Sequence, residues 1–283
     1  MIDQNGGPKD ALGATGYRGI EGSVALVTGS GRGLGRAVAE RLMALGAHVA
    51  LHDINEDAPG QFGESKSLTQ LAQELSDVHG RVTSAVGDLT KEGEVRSVVQ
   101  HVQSALGPID ILVNCAGGDI GLAGTKPNPN GALDISLDDA QAVFDRNFKT
   151  TMLMSRAVCP GMRERQRGSV INFGSLNGHQ GVASEVVYSC AKAAIVHFTR
   201  CLALELRSDG VRVNAISPGP TTTARFLATR EVDASRVGEQ ASLDRYATPA
   251  EIANVVGFLA SAESSFVTGQ VLRVDGGIGV YAA

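Results

Sequence analysis

Tyr188 and Lys192 stand four residues apart within residues 184–198, where Val187, Ala191, Ala194, Ile195, Phe198, Leu202 and Leu206 recur at helical spacing. Four residues is about one helical turn, so the phenol and the ammonium share one face and lie within reach of each other. A free tyrosine, with a pKa of about 10, is a poor base near neutrality. A cation at ~4 Å in an effective dielectric of ~20 favours the phenolate by up to ~4 kcal/mol. The spacing therefore predicts a Tyr188 whose pKa is lowered by Lys192, suited to both accepting and donating a proton. A surface tyrosine beside a solvated lysine is the plainer reading of the same pattern.

Other groups suit that chemistry if the fold brings them to the pair. Ser175 closes the apolar run over residues 168–175, 13 residues before Tyr188, and is a candidate oxyanion partner. Asn147 sits inside the helical repeat of Val143, Phe144, Phe148, Met152 and Met154, where asparagine is intrinsically poor. It is either a hydrogen-bonded core amide or a residue that holds water for catalysis.

A glycine-rich turn offers a place for a phosphate. Gly29, Gly33 and Gly35 lie between a Val-rich run at 23–28 and the helical repeat Leu34, Val38, Leu42 and Leu45, which ends at Gly46. Missing side chains let backbone approach a ligand, and a helix N-terminus offers free N–H groups to a pyrophosphate. A structural turn is the alternative. Asp53 ends the next strand, 18 residues after Gly35. A carboxylate there can hydrogen-bond both ribose hydroxyls of an adenosine and would repel a 2′-phosphate, which predicts NAD. Arg32, inside the turn, pulls toward NADP because it could reach such a phosphate. The plain alternative for Asp53 is a strand-end acid that starts a turn. Asp88, followed by Leu89, either meets an adenine or caps the next helix. Asn114 precedes Cys115, Ala116 and Gly117, small residues against which a flat cofactor can lie; it could instead tie neighbouring strands.

These residues need a frame that gathers strand ends on one edge. Strand signals at 23–28, 47–53, 81–87, 109–114, 168–175, 211–216 and 271–277 alternate with helical repeats. The pattern predicts an α/β single-domain Rossmann fold, a seven-stranded parallel sheet with helices on both faces. Residues 54–64, with Pro59, Gly60 and Gly63, predict a loop. Residues 117–137 predict a long irregular loop, closed by an N-cap at Ser136 with Asp139. The domain spans 22–283, residues 219–247 form a lid over the strand ends, and residues 1–21 a flexible arm.

Composition narrows the function classes. In a chain of 283 residues, 43% hydrophobic content is enough for one large core. A net charge of −5 with scattered basic residues gives no electrostatic case for nucleic acid. Arg163, Arg165 and Arg167 are interrupted by Glu164 and are expected to be a solvated helix end. No apolar run approaches the ~18 residues of a membrane span, and the first 20 residues lack the apolar region of a secretory signal. Cys115, Cys159, Cys190 and Cys201 form no C-x-x-C pair and have no histidine at zinc-ligand spacing. They are expected to be small buried thiols in a reducing cytoplasm, with no metal site.

Together these motifs resemble the short-chain dehydrogenase/reductase family over roughly residues 22–279. T-G-S-G-R-G-L-G at 28–35 resembles its cofactor loop. N-C-A-G at 114–117 resembles its N-N-A-G, with Cys115 for the second asparagine. Asn147, Ser175, Tyr188 and Lys192 fall on its catalytic tetrad. Pro218, Gly219, Thr221 and Thr223 resemble the segment that touches the nicotinamide carboxamide, and D-G-G at 275–277 its C-terminal turn. Two features depart from the pattern: the longer loop at 117–137, and Arg32 beside Asp53. The resemblance implies a homotetramer, or a dimer, built on the Asn147 and Tyr188 helices.

The function implied is oxidation of a secondary alcohol to a ketone with NAD, or the reverse. Tyr188 would exchange the proton, Lys192 would lower its pKa and hold the cofactor ribose, and Ser175 would position the reacting oxygen. Asn147 would relay the proton outward. The competing readings are an NADP-dependent carbonyl or 3-ketoacyl reductase, and a non-catalytic dinucleotide sensor or scaffold. The walls expected from 118–135, 176–187 and 219–245 contain His179, Gln180, Arg225 and Arg230 with few aromatics. That favours a small polar substrate such as a polyol, sugar or hydroxy acid.

Overall fold

The computed structural model describes residues 17–79, 81–238 and 242–280. Side chains alternate faces along a strand, and here each face meets helices, so nearly every strand position is apolar. In β1 (Val24–Thr28), Ala25 and Val27 enter one core while Val24 and Leu26 enter the other. The first core is completed by α1 (Gly33–Ala44), α2 (Leu68–His79) and α8 (Pro249–Ala260), through Val38, Leu42, Leu68, Leu71, Ile252 and Val256. The second is completed by α3 (Glu92–Leu106), α5 (Thr150–Glu164) and α6 (Val186–Leu206), through Val98, Val102, Met154, Val158 and Leu206.

The remaining strands are β2 (His48–Asp53), β3 (Val82–Val86), β4 (Ile111–Asn114), β5 (Gly168–Phe173), β6 (Val211–Pro218) and β7 (Val271–Val274). They form a seven-stranded sheet in the order β3-β2-β1-β4-β5-β6-β7, and every pairing is parallel. The expected doubly covered parallel sheet is what the chain builds. The order reverses between β1 and β4, so their carboxyl ends diverge there and open a crevice. Among the described residues no helix is long and apolar enough to cross a membrane.

Several expectations need correction. Residues 17–21 are not a free arm: Ile20 is fully buried, the Arg18 carbonyl accepts the Ala262 N–H at 2.9 Å, and the Arg18 guanidinium pairs with Glu263. The apolar Ile20 anchors them, while residues 1–16 lie outside the described residues. The polar stretch at 54–64 holds a 3-10 turn, Ala58–Phe62, and is not plain loop. The arginines at the end of α5 are solvated as expected, with Arg163 and Arg167 exposed, and are paired as well: Arg163 with Glu205 and Asp209, Arg165 and Arg167 with Asp110. Cys190 and Cys201 are exposed, because α6 buries the stripe of Ala191, Ile195, Thr199 and Ala203 and turns the neighbouring stripe outward.

The segment read as a lid is partly ordered by packing. α7 (Ala224–Thr229) is capped by the Thr223 hydroxyl, which accepts the Phe226 N–H. The Phe226 ring stands edge-on to buried Tyr246 at 5.2 Å, and the Tyr246 hydroxyl accepts the Asp233 N–H. Residues 239–241 of that stretch lie outside the described residues.

Candidate active site

A cleft of ≈ 1120 Å³ runs over the carboxyl edge at the switch point, large against the roughly 300–1,000 Å³ of ordinary ligand pockets. Its first wall is the glycine turn after β1. Gly29 and Gly33 have φ of 65° and 56°, a region costly for residues with a Cβ. A Cβ on Gly35 would lie 2.2 Å from the Gly29 carbonyl oxygen, so only glycine lets α1 start this close to the turn. Leu34 and Arg32 complete the wall, and Arg32 stacks on Phe62 and donates to Gln61.

Asp53 ends β2 beside that turn and is buried. It accepts the Gly31 N–H at 3.2 Å and the Ile54 N–H at 2.8 Å, which fixes the carboxylate against the loop. His52 braces the same turn from below. Its Nε2 lies 3.1 Å from the Gly87 carbonyl and its Nδ1 3.5 Å from the Gly29 N–H. The carbonyl needs a donor, so Nε2 carries the proton and the ring is neutral, in keeping with a pKa lowered by burial. Sequence reasoning passed over His52 because a histidine inside an apolar strand carries no motif.

Asp88 and Leu89 line the cleft after β3, and Asp88 also accepts from the Thr90 N–H and hydroxyl. It does not cap α3, whose N-cap is Lys91 with no side-chain cap hydrogen bond, so its bonds to Thr90 only fix the turn before that helix. Ala116 and Gly117 line the cleft after β4, while Asn114 does not. The Asn114 amide donates to Asn172 at 2.9 Å and to Ser155 at 3.3 Å, so its side chain ties β4 to β5 beneath the cleft floor. This corrects its expected place among the cofactor contacts. Pro218, Gly219, Thr221 and Thr223 form the opposite wall. Gly219 must be small, since a Cβ would lie 2.9 Å from Asp275 Cα.

Of the four residues expected to be catalytic, Ser175, Tyr188 and Lys192 line the cleft, and Asn147 stands behind its wall, bonded to Gly118. The helix from Leu137 to Glu164 is interrupted by a π turn, Asp145–Lys149, between α4 (Leu137–Phe144) and α5. Asn147 lies in that turn, fully buried. Its amide nitrogen donates to Gly118 and Val143 carbonyls at 2.9 and 2.7 Å, and its oxygen accepts the Gly118 N–H at 3.0 Å. Of the two roles open from sequence, the geometry supplies the hydrogen-bonded amide. The Asn147 carbonyl is taken by the Thr150 and Thr151 hydroxyls.

Ser175 and Tyr188 both line the cleft, and Ser175 stands near enough to Tyr188 to act on its pKa. The Lys192 ammonium lies 5.6 Å from the Tyr188 ring centroid and donates to the Phe173 carbonyl at 2.8 Å. Here the expected electrostatics are corrected. Burial pushes the Tyr188 pKa up, and Ser175 and Arg230 pull it only part of the way back. Lys192 stands over the ring with its ammonium committed to the Phe173 carbonyl, and burial brings its own pKa down to about 8.

The outer end of the cleft is polar. Glu185, buried at the N-terminus of α6, receives Lys126 at 2.6 Å, Arg230 at 2.7 Å and Asn177 at 3.0 Å. Burial pushes its pKa up, but the two cations hold it below the usual range. Arg225 reaches in from α7. His179 is not in the wall; its Nε2 is bonded to Ser217 at 2.8 Å. Gln180 is exposed outside the cleft. The Cys115 thiol, at the cleft edge, is pushed up to about 12 by burial and is inert as a nucleophile. Among the described residues no cluster of three or more His, Cys, Asp or Glu is arranged to hold a metal.

The family model described as enoyl-(acyl carrier protein) reductase matches residues 29–279. A 3-oxoacyl-[acyl-carrier-protein] reductase of Thermotoga maritima is 34% identical over 265 residues, covering 92% of this chain and 98% of its own. A 2,3-dihydroxy-2,3-dihydro-p-cumate dehydrogenase of Pseudomonas putida is 32% identical over 262 residues, covering 91% and 95%. A solved structure from Agrobacterium tumefaciens, provisionally named a gluconate dehydrogenase, superposes with a TM-score of 0.79 at 29% identity, covering 93% of this chain and 98% of that one.

Proposed function

The chain belongs to the short-chain dehydrogenase/reductase family and is an NAD(P)-dependent alcohol dehydrogenase/ketoreductase, and from that premise we propose that it interconverts a secondary alcohol and a ketone with NAD(H), on a small polar substrate. The observation that carries the reading is the placement of Ser175, Tyr188 and Lys192 together on the lining of one cleft, with the Lys192 ammonium 5.6 Å from the Tyr188 ring centroid one turn further along α6. The glycine cradle, with no room for a Cβ at Gly35, fits a dinucleotide lying over it. When bound, that cofactor supplies or takes the hydride.

The chain's own residues handle the proton and the alignment. Tyr188, kept protonated near neutrality by burial, donates to a carbonyl oxygen in reduction and receives the hydroxyl proton in oxidation. Ser175 hydrogen-bonds the same oxygen and fixes its position. Lys192, with a pKa of about 8, keeps its charge at pH 7 behind the phenol and beside Gly117, where it can reach a ribose. Asn147 holds Gly118 and so shapes the wall facing Tyr188.

Asp53 supports NAD. A carboxylate fixed beside the turn by two backbone N–H groups meets ribose hydroxyls well and a 2′-phosphate badly. Arg32 lines the cleft nearby and keeps NADP as the second reading. Fluorescence titration separates them: NADH is expected to bind at least about 10-fold more tightly than NADPH, a difference of ~1.4 kcal/mol. Equal or tighter NADPH binding contradicts the reading of Asp53. The relatives act on chemically diverse substrates, so the preference for a polar one rests on Asp119, Lys126, Glu185, Arg225 and Arg230 at the outer end. The reading extends to a homotetramer, or a dimer, joined over the outward stripe of α6 that exposes Cys190, His197 and Leu204; light scattering of the purified protein tests it.

A further inference from the structure

Arg225 is the charged group at the outer end of the cleft whose charge nothing answers. Its guanidinium makes no hydrogen bond or ion pair among the described residues, although the side chain is half-buried. Its neighbours sharpen the imbalance. Lys126 and Arg230 are both satisfied by Glu185. Arg32, Arg230 and Arg146 lie close enough to Arg225 to repel its charge. A cation drawn from water without a partner is costly, and a bound anion offsets that cost.

Its placement says which part of a ligand it meets. The start of α7 lies on the glycine turn, with the Thr223 methyl 3.5 Å from where a Gly33 Cβ would stand. The Arg225 guanidinium then reaches across to the opposite wall, where Nη1 is 2.9 Å from the position of a Gly118 Cβ. Gly118 is the residue that Asn147 clamps, and Tyr188 lies near enough to feel the charge. A second unanswered group shares the outer end. The buried Asp119 gives one carboxylate oxygen to Asn130 at 2.7 Å and leaves Oδ1 without a hydrogen bond. An acceptor of that kind asks for a hydroxyl.

We propose that Arg225 binds a carboxylate carried by the substrate, so that the enzyme acts on a hydroxy acid and its oxo acid, with Asp119 Oδ1 taking a further hydroxyl. The inference rests on the dehydrogenase reading of the site and narrows its substrate. A guanidinium matches a carboxylate with two parallel N–H···O bonds, which an ammonium cannot reproduce. The diphosphate of a dinucleotide is the other oxyanion that could meet Arg225, and the test separates the two.

Three matched pairs serve as probes: lactate and lactamide, 3-hydroxybutyrate and 3-hydroxybutyramide, gluconate and glucitol. With NAD in excess, the wild-type enzyme is expected to favour an acid over its neutral partner by at least about 30-fold in kcat/KM, in line with charge-assisted hydrogen bonds. Arg225→Met should lower kcat/KM for the acid by about the same factor, mainly through KM, and change the neutral partner by less than about 3-fold. Arg225→Lys should recover only part of the loss. NADH affinity, read by fluorescence titration, should stay within about 3-fold of wild type in both variants. Equal use of acid and neutral partner by the wild type overturns the proposal, as does silence on every acid. A matching loss of NADH affinity in Arg225→Met overturns it in favour of the diphosphate. Activity on neutral alcohols alone leaves the dehydrogenase reading standing while the carboxylate site falls.

Discussion

Asn147 grips Gly118 from both ends of its amide: the oxygen accepts the Gly118 N–H at 3.0 Å and the nitrogen donates to the Gly118 carbonyl at 2.9 Å. The π turn at Asp145–Lys149 swings the side chain into that position and frees the Val143 carbonyl for its second N–H. Truncation would remove three hydrogen bonds and leave the Gly118 N–H without its acceptor, while the Gly118 carbonyl keeps the Ile120 N–H at 3.0 Å. Asn147→Ala is expected to lower the unfolding free energy by about 2–3 kcal/mol in urea titrations, and kcat by at least about 10-fold through displacement of the Gly118 wall. Unchanged stability and unchanged turnover would show that the clamp does nothing.

Lys192 links the site to pH. Its pKa falls from 10.5 unfolded to about 8 folded, so between those values the unfolded chain holds a proton that the folded chain has released. Stability therefore rises with pH across that window, and the cost of burying the charge is full below pH ~8. At ~1.4 kcal/mol per pH unit the effect approaches roughly 3 kcal/mol. The unfolding free energy of wild type minus that of Lys192→Met should increase by an amount of that order between pH 7.5 and 10.5. Parallel pH curves for the two proteins would contradict the burial of a charged lysine.

The direction of catalysis should also follow pH. Burial raises the Tyr188 pKa, so the phenol is a ready acid at neutrality and a poor base. Oxidation, which needs the deprotonated phenol, should accelerate as pH rises above 7, while reduction stays level and then declines. Rates in both directions, followed by nicotinamide absorbance, check this. An oxidation rate that is flat from pH 6 to 10 at saturating cofactor would count against Tyr188 as its base.

Gly35 tests the cradle. A Cβ there would sit 2.2 Å from the Gly29 carbonyl oxygen, and both atoms belong to backbone, so the turn itself must move. Gly35→Ala is expected to weaken NADH binding by at least about 10-fold and to cost on the order of 1–3 kcal/mol of stability. Wild-type affinity in that variant would mean that the turn does not hold the dinucleotide.

The frame was legible in the sequence because doubly buried parallel strands read as apolar runs and the glycine turn marks the first crossover. Asp53, Ser175, Tyr188 and Lys192 were legible for the same reason: each stands at a strand end or on a helix that such a fold must bring to the edge. What could not be read was side-chain direction. Asn114 turns beneath the sheet to Asn172, Lys192 turns to the Phe173 carbonyl, and α6 faces Cys190 outward. Spacing gives a shared face but not which atom is reached. The Glu185 hub was hidden because its partners come from segments far apart in the chain, at 126, 177 and 230.

The central claim is that the Tyr188 phenol moves the proton. Tyr188→Phe keeps the ring and its packing and removes only the hydroxyl. Turnover of a responsive alcohol or ketone should fall by about 10²–10⁴-fold, while NADH affinity stays within about 3-fold of wild type. Turnover within about 3-fold of wild type in that variant would contradict the account.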